Sequence, residues 1–384
     1  MIETRPPLPG PEQQPGRGPR LASALLPGLG HVLTGRVARG CELLVAWLAL
    51  VAAAFFARHR MALVPRTGSF DDWLALITLV AALVALWTYA LRDAARVRTA
   101  ADVGISQWQI AMRHFRRNRP ALIGLWAIVL LAAATLLTPL LTPWDPYAQT
   151  DIVRTRFQPP TLMHWLGTDG FGRDILTRLL YGARVSLTIG FVATGISITL
   201  GTLLGAVAGY AGGRLDTLLM RFTDMVLSFP RLVLLILIVA LFGSSVPIII
   251  VVLGLTQWPS TTRIVRGDVL SLREREFIQA ARALGFGRAR IVLQHLVPNV
   301  LAPVIVSATL GIGNTIVLEA GLSFLGLGPP PPLPAWGSMV TEGADRLVEA
   351  WWVATFPGLT IVLVVLAFNL LGDGLRDALD PRLR

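Results

Sequence analysis

Apolar runs long enough to cross a bilayer follow one another from residue 73 almost to the end of the chain, at 73–91, 120–141, 184–209, 218–243, 246–266, 300–320 and 351–372. A hydrocarbon core of about 30 Å takes about 20 such residues per helix. Inside it every backbone N–H and C=O must be satisfied, so runs about twice the length of a barrel strand are read as helices. The expected fold is all-α, a polytopic transmembrane helix bundle. An earlier run, 41–57, is short for a span, whereas 73–91 carries Trp73, Trp87 and Tyr89 as interfacial anchors. The charge-free stretch from Leu232 to Thr262 exceeds one crossing, and Gly243-Ser244-Ser245-Val246-Pro247 divides it. Composition agrees, with 54% of residues hydrophobic and 15% charged.

The net charge of +11 comes from arginine, for the chain has no lysine. The arginines lie between apolar runs, which fits positive-inside topology better than nucleic-acid binding. Residues 92–119 hold the densest basic cluster and are expected on the cytoplasmic side, against anionic lipid. Cys41 is the single cysteine, so an intrachain disulfide and a cysteine-rich metal site are excluded. Residues 1–40 read as a cytoplasmic tail followed by a surface-lying or re-entrant segment at 21–35, with His31 at the interface and no cleaved signal peptide.

Residues 267–299 form the one long polar stretch inside the apolar C-terminal half. Ser271 and Glu274 have capping-box spacing, and Glu274 and Glu276 suit the positive end of a helix. Phe277, Ala281 and Leu284 share a face at helical spacing. Gly285 and Gly287 then break the helix, and a second helical turn from Arg288 to Leu296 runs to Pro298. A short helix, a glycine elbow and a second short helix are expected, with small residues at Ala280 and Ala281.

The string QAARALG, with Ile291 and then HLVPN, closely resembles the "EAA" loop of bacterial ABC importer permeases. Three further strings are similar to the dipeptide/oligopeptide/nickel importer permeases: FRRNRPALIGL, then LGTDGFGRD with GARVSL, then SFLGLGPPPPLPAWGSM. Together they cover about residues 113–384. The resemblance implies a six-helix type I importer permease core with about two extra N-terminal spans. It implies that Glu276, Gln279, Ala280, Ala281, Gly285, Ile291 and Pro298 belong to a coupling loop that docks on a separate ATPase. Gln279 stands where the family's leading glutamate does, replacing a charge-assisted bond by a neutral one.

In Gly167, Thr168, Asp169, Gly172, Arg173 and Asp174 the family's external motif is matched. Read from the residues, this spacing could be an anion or metal site, but Asp169 and Asp174 better suit a structural turn and helix cap. Asp224 and Arg231, seven apart, fall on one face of the 218–243 span, as pathway or interfacial residues. Glu319 reads as a snorkelling residue, a cap or a gate contact. The proline run at 329–334 favours an extended, rigid connection.

The divisions expected are 1–40, 41–112 (extra spans and basic linker), 113–183 (first core span and external segment), 184–373 (permease core) and 374–384 (cytoplasmic tail). A P-loop needs its lysine to reach the phosphates, so ATP is expected on a partner subunit, with no cofactor in this chain. By resemblance the partners are a second permease subunit, two ATP-binding subunits, an extracytoplasmic solute-binding protein and membrane lipid, with no nucleic acid. The implied cargo is di- or oligopeptides or nickel, carried across the bacterial inner membrane, with both termini cytoplasmic. Readings from other classes are an ion-coupled secondary transporter and an assembly or signalling protein.

Overall fold

The computed structural model describes residues 26, 27, 29, 31, 37–67, 70–95, 107–149 and 152–379. The expectations for the 1–20 tail, most of 21–35, all of 96–106 and residues 380–384 lie outside the described residues. All regular elements among those described are helical. The chain forms two compact units, one from the described residues of 1–105 with Leu136–Pro143, the other from those of 106–135 and 144–384.

In the first unit α1 (Val37–Thr67) and α2 (Phe70–Ala95) pack together, and the one-turn α5 (Thr138–Leu141) packs with them. Their shared core is Ala57, Ala75, Leu79, Leu137 and Leu140. The two helices of the expected extra pair differ in length of apolar stretch. In α1 the apolar stretch is only Gly40–Ala52, whereas Asp71–Ala90 in α2 is long and apolar enough to cross a membrane.

The second unit begins with α3 (Gln107–Arg117) and α4 (Arg119–Leu136). Arg113, Arg116, Arg117 and Arg119 are exposed there. Phe115 and Ala121 are buried with Ala378. After a short α6 (Ile152–Thr155), α7 (Ile175–Ala211) has 37 residues, about 55 Å at 1.5 Å per residue. It outreaches the hydrocarbon and begins nine residues before the expected span, because Asp174 caps it through the Thr177 N–H at 2.8 Å.

The expected 218–243 span is not one rod. Helix α8 (Gly213–Ser228) and helix α9 (Arg231–Phe242) meet at 81°. Pro230 has no N–H to continue the ladder and forces its predecessor out of the helical region; Phe229 sits at φ −84°, ψ 132°. Asp224 and Arg231 thus lie on two helices rather than on one face. Then α10 (Val246–Leu272) is capped by Ser245. It runs through the expected span end because Val265 and Val269 remain buried.

Next come α11 (Glu276–Ala283), α12 (Arg288–Arg290), a π turn (Ile291–Leu296), a turn at Val297–Asn299, and α13 (Leu301–Phe324). The proline run between α13 and α14 (Trp336–Ala344) turns rather than extends: the Leu333 N–H bonds back to the Pro330 carbonyl at 3.3 Å, and Pro331–Pro332 is cis. Finally α15 (Trp352–Leu379) carries helix into the expected tail. Among the described residues six helices are long and apolar enough to cross a membrane, and the bent α8–α9 pair would make a seventh.

The longest packed interface joins α7 to α10. Gly201, Gly205 and Gly209 sit four apart on α7 and lie against α10. A Cβ at Gly205 would come within 2.6 Å of the Thr262 carbonyl, and one at Gly201 within 2.6 Å of Thr261 Cβ. Small residues at this spacing let backbones approach where lipid tails supply no hydrophobic drive.

Candidate functional site

The segment expected to couple, from Glu276 to Pro298, is held on one side. Ile278 and Ala281 of α11 are buried with Ile291, Leu296, Val265 and Val269. That corrects the expected face of Phe277, Ala281 and Leu284: Ala281 turns inward, whereas Phe277 is 42% and Leu284 74% exposed. The expected capping box is also absent. Ser271 lies in the last turn of α10, and α11 starts from Arg275 with no side-chain cap bond. Glu274 instead accepts from Arg273 Nε at 2.9 Å, and Arg273 Nη1 donates to the Gly209 carbonyl at 3.2 Å.

Gly285 ends α11 at φ +76°. Its N–H donates to the Arg282 carbonyl at 2.9 Å, and the Phe286 N–H to Ala281 at 3.1 Å. This pair of bonds is a Schellman ending, which needs a left-handed residue. Gly287, at φ −62°, begins α12 instead. Ile291 is buried and Pro298 exposed. Pro298 offers no N–H to the Gln294 carbonyl, and the ladder just upstream is wound as a π turn; Asn299 Nδ2 closes it on the His295 carbonyl at 2.6 Å.

Glu276, Gln279 and Ala280 are exposed. Gln279 Nε2 donates to the Glu274 carbonyl at 3.1 Å. A glutamate could not, so the departure from the resembled motif has a local use.

The motif at 167–174 is a buried polar knot at the start of α7. Gly167, at φ +80°, leaves room for the Gln158 carbonyl and the Trp352 ring, each within 2.8 Å of where a Cβ would stand. Thr168 is fully buried, and its carbonyl accepts from Trp352 Nε1 at 3.2 Å. Asp169 Oδ1 accepts from the N–H groups of Phe171 at 2.8 Å and Arg173 at 3.0 Å. Gly172 takes a positive φ of 74° in the same turn.

The turn-and-cap reading of the two aspartates describes this geometry, but misses the cations. Arg173 Nε donates to Asp169 Oδ2 at 2.7 Å, and Arg178 Nη1 reaches the same oxygen. Both guanidiniums also donate to Glu342 of α14, at distances of 2.5–3.1 Å. Asp174 Oδ1 lies 3.0 Å from His164 Nδ1. Two arginines and two carboxylates balance. Arg178 and Glu342 stand outside the motif, so spacing alone did not point to them.

Three core helices share a second polar junction. The hydroxyls of Thr194 (α7) and Thr315 (α13) are 3.0 Å apart, and Gln257 Nε2 (α10) donates to Thr315 at 2.9 Å. Glu319 is fully buried rather than snorkelling; it accepts from Ser323 at 2.7 Å and Ser186 at 3.3 Å. Asp216 takes a bidentate bond from Arg266, at 2.5 and 2.7 Å, tying α8 to α10. No group of three or more metal-binding side chains occurs among the described residues.

The model of the family described as binding-protein-dependent transport system inner membrane component matches residues 201–384. That for the N-terminal TM domain of oligopeptide transport permease C matches residues 106–160. The dipeptide transport system permease protein DppC of Alkalihalophilus pseudofirmus is 45% identical over 280 residues, 73% of this chain and 91% of that protein. The oligopeptide transport system permease protein OppC of Haemophilus influenzae is 41% identical over 281 residues, covering 73% and 90%. The OppC protein of Bacillus subtilis is 39% identical over 280 residues, covering 73% and 91%. Among solved structures, an inward-facing form of the MetNI methionine ABC transporter has a TM-score of 0.44 at 19% identity, covering 54% of this chain and 98% of that one.

Proposed function

The chain belongs to the family of binding-protein-dependent transport system inner membrane components, as a permease of the ABC importer kind, and from that premise we propose that it carries di- or oligopeptides across the bacterial cytoplasmic membrane. It does so with a second permease subunit, two ATP-binding subunits and an extracytoplasmic solute-binding protein. ATP is bound by the ATPase subunits. Both termini and the exposed arginines of α3 face the cytoplasm. The names of the relatives described above support peptides as cargo.

The carrying observation is the asymmetry of α11. Its inner side, Ile278 and Ala281, is buried in one apolar cluster with the π turn, Ala206 of α7 and Val265 and Val269 of α10, so a push on it is passed through that cluster to those helices. Its outer side keeps Phe277 and Leu284 exposed, which suits an apolar socket on an ATPase. When ATP closes the ATPase pair, the docked segment moves with it, and the core shifts between inward- and outward-facing states. Such a shift needs different contacts in the two states.

Leu284→Asp tests the docking. Leu284 is largely solvent-exposed in the chain, so the variant should insert and purify normally. Co-purification of the ATPase should fall at least about 10-fold, the worth of one buried leucine. Undiminished co-purification with normal uptake would overturn the assignment.

A further inference from the structure

A cavity of ≈ 230 Å³ lies among α7, α9, α10 and α13. Thr194 and Gln257, bonded through Thr315, form part of its wall. Ser197, Ser260, Ser307 and Asn314 add hydroxyl and amide groups. Arg231, the first residue of α9, is its one charged lining residue, and no carboxylate lines it. The Nε and Nη2 atoms of Arg231 are buried and have no hydrogen-bond partner among the described residues. Asp224, the acid nearest in sequence, is taken by Arg263 at 2.5 Å.

Arg231 is half-buried overall; a cation with part of its polar head desolvated and no counter-charge is costly, and such residues within membrane helices mark the path of a substrate or ion. The guanidinium fork matches a carboxylate with two parallel hydrogen bonds. The volume falls below the roughly 300 Å³ at which pockets for drug-sized ligands begin. It suits one end of a peptide rather than a whole oligopeptide.

We propose that this cavity receives the C-terminal carboxylate of a peptide in transit, with the guanidinium of Arg231 as its counter-charge and Asn314 and the serines as neutral partners. The proposal rests on the peptide-permease reading above. It also makes the chain selective for free C-termini at a step after the binding protein.

The test uses the purified full chain in nanodiscs and equilibrium dialysis with labelled alanyl-alanine and alanyl-alanine amide. The free acid should bind at least about 10-fold more tightly than the amide, the scale of a charge-assisted bond. Arg231→Gln should erase that preference by weakening the acid alone, and Arg231→Lys should keep part of it. Should Arg231→Gln fail to fold, Asn314→Asp serves, because a carboxylate introduced into the same cavity wall would repel the ligand's carboxylate and erase the same preference. Equal binding of acid and amide by the native chain would overturn the proposal, as would no binding of either or a preference that survives these variants. Displacement by inorganic phosphate as efficient as by dipeptide would show a general anion site and overturn it too. Uptake of alanyl-alanine by cells carrying the complete transporter is scored separately. Its absence would sink the peptide reading, while the acid-over-amide ratio still judges the cavity.

Discussion

Asp169 holds two guanidiniums, of Arg173 and Arg178, on a single side chain that is 1% exposed. Removing one partner from a buried ion cluster leaves an uncompensated charge and costs about 3–5 kcal/mol. Asp169→Asn keeps the shape and removes the charge. The variant should therefore lose that much stability, read as a lowered unfolding midpoint in detergent; an unchanged midpoint would show that Glu342 alone balances both arginines. The aspartate's turn role was legible, because Asp followed by Gly-Phe-Gly-Arg is a local turn signal. The arginine pairing was not, since Glu342 lies 164 residues beyond Arg178 and periodicity carries no such information. Gly285 is the opposite case. A glycine after a helical run is a local stop signal, and the chain obeys it with a left-handed φ.

At the scale of elements, the α7–α10 interface depends on what is missing from Gly201, Gly205 and Gly209. A methyl at Gly205 would meet the Thr262 carbonyl at 2.6 Å and Val265 Cβ at 2.9 Å, both on a rigid helix. Gly205→Ala should therefore cost about 1–3 kcal/mol through overpacking. Gly195→Ala on the same helix meets nothing within 4 Å and should be neutral or stabilising, since alanine is the better helix former. Parallel thermal melts of the two variants separate crowding from propensity; equal effects would refute the close-packing account. The four-residue glycine spacing was present in the sequence but carries no sign of which helix it faces. Span positions were legible because hydropathy is local. The α8–α9 bend was not read, because an apolar window counts residues without their direction, although Pro230 was there to be weighed. Ser271 misled for a related reason: its capping chemistry is local, but buried Val265 and Val269 hold α10 helical to Leu272.

For the whole molecule the division into two units decides what is dispensable. The family models match residues 106–160 and 201–384, and the polar knot, the coupling segment and the Arg231 cavity all belong to the second unit. The importer reading therefore predicts transport without residues 1–95. Their removal still has a physical consequence, because Leu137, just before α5, and Leu140 within it are buried together with Ala57, Ala75 and Leu79 of α1 and α2. Uncovering two leucines to water would cost about 1.5–3 kcal/mol each, whereas lipid would cover them at little cost. A chain lacking residues 1–95 should thus retain peptide uptake and ATPase co-purification in membranes. Once extracted, it should be less stable than the full chain, and Leu137→Ser with Leu140→Ser should restore its solubility. If uptake vanished while insertion and ATPase co-purification persisted, residues 1–95 would have to take part in translocation itself, and the second unit could not be the complete transport element.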